Sequence, residues 1–189
     1  MKQDKTIFLK ELRVRAHQNL QLLEGLAKLP EEALQARPSD KAWTALEALK
    51  HINTFNRAYQ GRAAEAIRRN QATQAPREFR SGFLGGIIAN WARPGVTTIK
   101  LPAPRKVNYH GRPLDRDVLE QSLTDARELL DLLNDAESVD LTTTKISSLE
   151  AAWFKLRLGD TLRLIVNHDW RHIEQAERAT RGEAGIRTK

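Results

Sequence analysis

Two histidines near the end of the chain stand four residues apart, in the run His168-Asp169-Trp170-Arg171-His172. On a helix this spacing places both rings on one face, about one turn apart, where they could bind one metal ion. Ile165 and Ala176 continue the same face in either direction, which turns the pair toward the interior of a helical protein. Spacing alone leaves a second interpretation open, in which the pair is a coincidence on a solvated or core-edge face.

A third ligand would have to come from another part of the chain. The sequence contains no cysteine, so a metal site must use imidazole, carboxylate and water. Of the remaining histidines, His17 lies among polar residues and His110 lies in an irregular basic segment. His51 is the better candidate, because it precedes Ile52 at the predicted edge of a helical core. A single histidine in such a position is more often satisfied by a hydrogen bond, so this alternative also stays open.

Four amphipathic segments would position these residues. Apolar residues recur at helical spacing from about Thr6 to Lys28, from Thr44 to about Asn70, from about Asp115 to Asn134, and from a start between Ser148 and Gly159 to about Arg181. The second segment opens with Thr44-Ala45-Leu46-Glu47, which predicts a capping box, and Gly182 is a suitable stop for the last. No segment alternates like a strand. The sequence predicts an all-α fold, an antiparallel four-helix bundle, as a single domain over residues 1–189.

Residues 73–113 form a long connection between the second and third predicted helices. They contain five of the ten glycines and five of the seven prolines, which predicts irregular structure with a short helical piece around Phe83–Trp91. Seven basic residues and one acid, Glu78, give this segment +6 of the chain's net charge of +7. The charge could attract an anionic substrate to a pocket mouth, or it could belong to solvated loop side chains. The tail, residues 182–189, is expected to be frayed.

The composition is that of a globular protein, with 40% hydrophobic and 29% charged residues. No stretch approaches the roughly 20 apolar residues of a membrane span, and the charged N-terminus lacks the apolar region of a signal peptide. We therefore expect a cytoplasmic protein with no membrane partner. A pI near 9.9 raises nucleic-acid binding as a lower-ranked alternative. Against it, the basic residues are not interleaved with stacking aromatic residues and no nucleic-acid motif is present.

Two motifs together resemble those of the DinB-like family. The stretch Ala42–Ile52 is similar to that family's tryptophan, helix-capping Ser/Thr and first histidine at the start of the second helix. The stretch Leu158–Ala176 is similar to the family's last helix, including an Arg before the second histidine and a Gln three residues after it. The motifs stand in the family's order, and the resemblance covers most of residues 6–181.

The resemblance implies a metal site with His51 as first ligand and His168 and His172 as the second and third, holding zinc, nickel or a similar divalent ion. Three imidazoles with open positions are typical of a catalytic rather than a closed structural site. Characterised relatives act as thiol-dependent transferases or isomerases, and others are known only as suggested hydrolases. The implied function is a metal-dependent enzyme, a thiol-dependent transferase or a hydrolase, whose reactive group is metal-bound water or thiolate. Its substrate would be a small molecule, such as an anionic low-molecular-weight thiol.

Other expectations concern the surroundings of the site and the state of the chain. The alternative to an enzyme is a metal-binding stress or structural bundle without turnover. Asp160, Asp169 and Glu174 could orient histidine ring nitrogens, or could form ordinary surface salt bridges. A homodimer is possible, because relatives often pair. The tryptophans expected at the core or its edge, rather than in a binding box, are Trp43, Trp153 and Trp170.

Overall fold

The computed structural model describes residues 2–95, 105–149 and 153–183 of the chain. Within these residues the protein is mostly helical, which confirms the predicted all-α class. No described helix is both long enough and apolar enough to cross a membrane. The helices are α1 (Lys5–Leu26), α2 (Glu31–Gln35), α3 (Ala45–Arg69), α4 (Phe83–Trp91), α5 (Asp117–Asp135) and α6 (Leu158–Thr180), with 3₁₀ turns at Arg105–Val107 and Ala136–Ser138.

The long helices α1, α3, α5 and α6 correspond to the four predicted segments, and their ends have the expected local causes. At the start of α3, Thr44 Oγ1 accepts a hydrogen bond from Glu47 N at 3.1 Å. A carboxylate oxygen of Glu47 accepts in turn from Thr44 N at 3.0 Å, which confirms the capping box. α6 ends at Thr180, and Gly182 follows with a φ of +74°, a conformation that favours glycine.

The four long helices pack against one another around a hydrophobic core that has two parts. α3 contacts α5 and α6, and α1 contacts the same two helices. The first part of the core contains the early residues of α1 and α6 with the late residues of α3 and α5. The second part contains the opposite ends of these helices. α1 and α6 therefore run from the first part to the second, and α3 and α5 run back. The chain between α3 and α5 must cross the length of the core, which requires a long connection.

Each long helix contributes a buried polar side chain where the two parts of the core meet. These side chains are 2–5% exposed and belong to Asn19, Asn56, Asp125 and Asp169. Asn19 Nδ2 donates to Val166 O at 3.1 Å, which joins α1 to α6. Asn56 forms a side-chain hydrogen bond with Asp169, which joins α3 to α6. We call these four residues the polar layer.

The connection between α3 and α5 is more regular than predicted where the structure describes it. The helical piece expected around Phe83–Trp91 is α4, with these same limits, and α4 packs against α6. Short strands were not predicted. β1 (Lys2–Asp4) pairs antiparallel with β2 (Glu78–Arg80), and β3 (Lys145–Ser147) pairs antiparallel with β4 (Lys155–Arg157). Three residues are too few for the alternation of a strand to be recognised in a sequence.

Two expectations fall outside the described residues. One is the irregular structure expected at residues 96–104 of the connection, and the other is fraying over residues 184–189 of the tail.

Candidate metal centre

The three histidines expected to form a site lie together between α3 and α6. One ring nitrogen from each of His51, His168 and His172 lies within 4.8 Å of those from the other two. The ring centroids are 5.2 Å apart for His51 and His168, 4.7 Å for His51 and His172, and 4.6 Å for His168 and His172. Two helices that are far apart in the sequence thus bring the three rings to one place, which we call the histidine group.

The histidine group stands at the edge of the core. All three rings are half-buried, so protein surrounds most of the group while some access to solvent remains. No fourth histidine, cysteine, aspartate or glutamate joins it in the part of the chain that the structure describes. The other two histidines lie elsewhere: His17 is exposed, and His110 Nε2 donates to Asp40 O at 2.9 Å. Three imidazoles without a fourth protein ligand leave open positions for water or a substrate.

Hydrogen bonds fix the tautomer of two of the rings. His51 Nδ1 lies 2.9 Å from Val107 O. A carbonyl oxygen only accepts, so Nδ1 donates the proton and Nε2 keeps its lone pair. His172 Nδ1 donates in the same way to Gln175 Oε1 at 2.9 Å. Imidazoles that bind metal ions usually donate through one nitrogen and coordinate through the other, so both rings are prepared for that role.

His168 is held by packing instead of by a hydrogen bond. Its ring stacks on Phe55 with the centroids 4.1 Å apart. Its Nδ1 is buried and has no hydrogen-bond partner among the described residues. A buried polar atom without a partner requires an explanation, and an ion bound by this ring supplies one. The orphaned nitrogen and the all-imidazole donor set fit a divalent transition metal.

Burial keeps the three rings neutral. Burial lowers the pKa of His51, although the hydrogen bond to Val107 acts in the opposite direction. Burial lowers the pKa of His168 far below its usual value, with further lowering from charge on His172 and His51. Burial and charge on His51 lower the pKa of His172 to about 3. Neutral imidazole is the form that binds metal, so no proton has to leave the group at neutral pH.

The acidic residues of α6 do not orient the histidines. Asp160 accepts hydrogen bonds from the residues that precede α4. Asp169 is bonded to Asn56 in the polar layer. Glu174 accepts from Trp170 Nε1 at 2.6 Å. These carboxyls bind other helices and side chains. None of the three forms a hydrogen bond with a ring of the histidine group.

The groups that do orient the rings are Val107 O and Gln175 Oε1. The sequence contained a signal for Gln175, since it stands three residues after His172 on the same helical face. It contained none for Val107, which acts through its main chain and lies 56 residues from His51.

The tryptophans have different surroundings. Trp43 is half-buried, with its ring centroid 5.3 Å from that of His51 and 6.3 Å from that of His172, so it forms one wall of the group. Trp170 is half-buried beneath the Arg15 guanidinium, 3.6 Å from the ring centroid. Trp153 was expected at the core or its edge, and that prediction is wrong: its side chain is 85% exposed.

Both described ends of the basic connection lie beside the histidine group. On one side, Arg171 precedes His172 and its Nη2 donates to the carbonyl oxygens of Trp91 at 2.5 Å and Arg93 at 2.9 Å, at the C-terminal end of α4. On the other side is the stretch of residues 105–112, which we call the covering loop, because its Val107 carbonyl contacts His51. Part of the chain's excess positive charge is therefore close to the group.

The covering loop is fixed to α3 at two further points. Tyr109 OH and Thr54 Oγ1 are 2.7 Å apart. Gly111 N donates to Glu47 Oε1 at 2.6 Å, and Gly111 has a φ of +74°, which a glycine adopts without strain. These contacts place the loop where its main chain can hold His51.

Comparisons with known proteins give one match. A family model described as the DinB superfamily matches residues 12–176, which is most of the chain and includes all three histidines. None of the curated proteins matches the chain, and none of the solved structures does.

Proposed function

We propose that this chain, which belongs to the DinB superfamily, binds one divalent metal ion on His51, His168 and His172 and acts as a metal-dependent enzyme. The observation that carries the proposal is the meeting of three neutral imidazoles within 4.8 Å, with no fourth protein ligand among the described residues. Two of the rings have fixed tautomers, and the third has a buried nitrogen that lacks a partner. A closed structural site would instead surround its ion with four protein ligands.

Zinc or nickel is the metal we expect. Imidazole nitrogen suits both ions, and the chain has no cysteine that would favour softer metals. The histidine group contains no carboxylate, which argues against magnesium and calcium, since these prefer oxygen ligands.

The proposed reaction is thiol-dependent group transfer or hydrolysis. When bound in such a site, a divalent ion lowers the pKa of water or of a thiol near neutral pH. The chain's own residues supply position and surroundings: Val107 and Gln175 hold two rings, and Phe55 and Trp43 shield the group on two sides.

The substrate we propose is a small anionic molecule, such as a low-molecular-weight thiol that carries carboxylates. Arg171 is half-buried next to His172, and it forms no ion pair with any acidic side chain of the described residues. Arg93 and Lys106 are exposed at the two described ends of the basic connection. Unpaired positive charge at a partly enclosed site raises the local concentration of anions.

The first test is the metal content of protein purified without a nickel-affinity step. We expect about one divalent ion per chain in the wild type, as for other three-histidine sites. The ion should be absent from His51→Ala and from His168→Ala/His172→Ala, while circular dichroism shows the helices unchanged. His17→Ala is the matched control, because this exposed histidine lies outside the group, and it should keep the ion.

The same proteins distinguish an enzyme from a metal-binding structural protein. Thiol transfer and ester or amide hydrolysis are measured on the wild type with zinc and with nickel. Turnover that disappears in His51→Ala and persists in His17→Ala supports the enzyme. Failure of the wild type to retain or take up zinc or nickel contradicts the whole proposal. A bound ion without turnover, whose removal lowers the unfolding temperature, would leave only the structural role.

A further inference from the structure

α4 exposes large apolar side chains to solvent. Its sequence, FLGGIIANW, contains no charged residue. Phe83 is 83% exposed, Trp91 56%, Leu84 54% and Ile87 36%. At 100° per residue these four positions fall within about a third of the helix circumference, so they form one continuous face. We call this the outer face of α4.

The inner face of α4 carries small residues, and other contacts fix the helix in this orientation. Gly85 and Ala89 are buried against α6. A Cβ on Gly85 would lie 2.7 Å from Asp160 Oδ2, so only glycine permits this close approach. Asn167 Nδ2 donates to Ala89 O at 2.8 Å, and Gly82 N donates to Asp160 Oδ2 at 2.7 Å. The helix therefore cannot rotate to bury its large side chains without losing these hydrogen bonds.

Arginines precede and follow α4 in the chain, and the guanidinium group of Arg93 lies 5.9 Å from the ring centroid of Trp170. Arg80 precedes α4 and is joined by Arg157, whose Nη1 donates to Arg80 O at 2.6 Å. Arg93 follows α4 and is joined by Arg171, whose Nη2 donates to Arg93 O at 2.9 Å. None of these guanidinium groups forms an ion pair within the described residues. The face thus combines a contiguous apolar centre with positive ends.

The apolar side chains and the flanking arginines together indicate what kind of surface would bind this face. A second copy of the chain, related by two-fold symmetry, would bring positive ends together or lay them beside each other. A neutral apolar surface would leave the exposed side chains of Arg80 and Arg93 without an anionic partner. A membrane surface with anionic headgroups matches both features, since aromatic and aliphatic side chains enter the interface while basic side chains meet the headgroups.

We propose that the outer face of α4 binds the surface of membranes that contain anionic lipids. The sequence-based expectation of no membrane partner depended on the absence of a spanning segment, and an interfacial contact needs no span. The proposal needs no bound metal ion, although Arg93 also belongs to the positive charge proposed to attract the substrate. It uses Phe83, Leu84, Ile87 and Trp91 for apolar contact, with Arg80 and Arg93 as the exposed basic side chains nearest its ends.

The test is sedimentation of the full chain with vesicles. Phosphatidylcholine vesicles are compared with vesicles of phosphatidylcholine and phosphatidylglycerol, at low and at moderate salt. We expect binding to the anionic vesicles, at least about tenfold weaker binding to the neutral ones, and weakening by salt. A blue shift of tryptophan fluorescence on binding, lost in Trp91→Phe, would place this side chain in the interface.

Three variants test the apolar contact, the basic contact and a control position separately. Phe83→Ser/Trp91→Ser removes apolar contact and should weaken binding by about tenfold or more. Arg80→Gln/Arg93→Gln should weaken binding to the anionic vesicles by a similar factor. Ile7→Ser/Val14→Ser is the matched control: these side chains are 58% and 51% exposed on α1, where Lys10 and Glu11 separate them. The control should bind as the wild type does, and circular dichroism verifies that each variant is folded.

Several results would overturn the proposal. Absence of sedimentation with either kind of vesicle is one. Equal loss in the α1 control and in Phe83→Ser/Trp91→Ser is another, because binding would then be unspecific. A wild-type dimer, measured by light scattering, that becomes monomeric in Phe83→Ser/Trp91→Ser would show that a second copy covers the face.

Discussion

The start of α3 and the middle of the core each contain a buried carboxyl, but the two are surrounded in opposite ways. Glu47, at the start of α3, is 1% exposed and accepts from Arg37, from Thr44 N and from Gly111 N. Asp125, in the polar layer, is 5% exposed and accepts a side-chain hydrogen bond from Gln121, while its Oδ2 has no partner. One carboxylate is fully satisfied, and the other is not.

The surroundings move the two pKa values in opposite directions. Burial alone would raise the pKa of Glu47, but the hydrogen bonds from Arg37, Thr44 and Gly111 together lower it. Burial raises the pKa of Asp125, and the hydrogen bond from Gln121 offsets this only in part. Ionised Glu47 therefore stabilises the fold, whereas ionised Asp125 destabilises it. Glu47 thus joins Arg37, the start of α3 and the covering loop through hydrogen bonds, whereas the polar layer contains a carboxyl whose ionised form is unfavourable.

The largest expected effect is at Glu47. Glu47→Ala removes one half of the capping box, the ion pair with Arg37 and the acceptor for Gly111 N. We expect the free energy of unfolding to fall by about 3 kcal/mol, measured by urea denaturation. Glu65→Ala is the matched control on the same helix, since Glu65 pairs with arginines at the surface, and its change should be much smaller. Equal changes in the two variants would contradict the role assigned to Glu47.

A smaller effect of opposite sign is expected at Asp125. Asp125→Asn keeps the acceptor for Gln121 and replaces the unpartnered carboxylate oxygen by a neutral amide. Because the buried charge disappears, we expect a gain of about 1 kcal/mol in the free energy of unfolding at neutral pH. Asp131→Asn, at an exposed position on the same helix, controls for the change in net charge. A loss of stability in Asp125→Asn would mean that the carboxylate has a partner that compensates it, such as a buried water or ion.

The pH dependence of stability further distinguishes Asp125 from Glu47. A group whose pKa is raised in the folded state binds more protons there than in the unfolded chain, so its penalty is relieved as pH falls toward its folded pKa. The gain from Asp125→Asn should therefore shrink from neutral pH toward pH 4, which is near the ordinary pKa of aspartate at about 3.9. Glu47 has a lowered pKa, so its stabilisation is present above its ordinary pKa and is lost only as pH falls through the folded value. A gain from Asp125→Asn that does not vary with pH would contradict this assignment.

The long helices could be predicted because each is specified locally. The capping box at Thr44 and Glu47 and the glycine at position 182 lie at the ends of the helices that they delimit. α4 was located by its composition, although its contacts with α6 were not. The pairing of β1 with β2 joins residues more than 70 positions apart through main-chain atoms, and such pairing leaves no pattern in three residues.

The three histidines could be predicted from the sequence, whereas the carbonyl that orients His51 could not. His168 and His172 were recognised by their spacing of four residues. The family resemblance identified His51 as the further ligand of the same site. The acceptor for His51 is a main-chain oxygen of Val107, so the identity of residue 107 carries no information about it. Asp160, Asp169 and Glu174 were expected either to orient ring nitrogens or to form surface salt bridges, whereas the rings are oriented by a side-chain amide and a main-chain carbonyl.

The smallest expected effect tests whether the covering loop depends on one anchor or on several. The Thr54 hydroxyl donates its single proton to Lys50 O at 3.1 Å, so Tyr109 OH is the donor in its bond with Thr54 Oγ1. Tyr109→Phe removes this partly buried bond and should lower the free energy of unfolding by about 0.5–1 kcal/mol, measured by urea denaturation. Thr54→Val and the double variant complete a mutant cycle, in which the double variant should lose little more than Tyr109→Phe alone. Because Gly111 still binds Glu47, the loop should stay in place and His51 should keep its tautomer in NMR spectra of the ring nitrogens. A change of tautomer in Tyr109→Phe would show that Tyr109, and not Glu47, positions the loop over the histidine group.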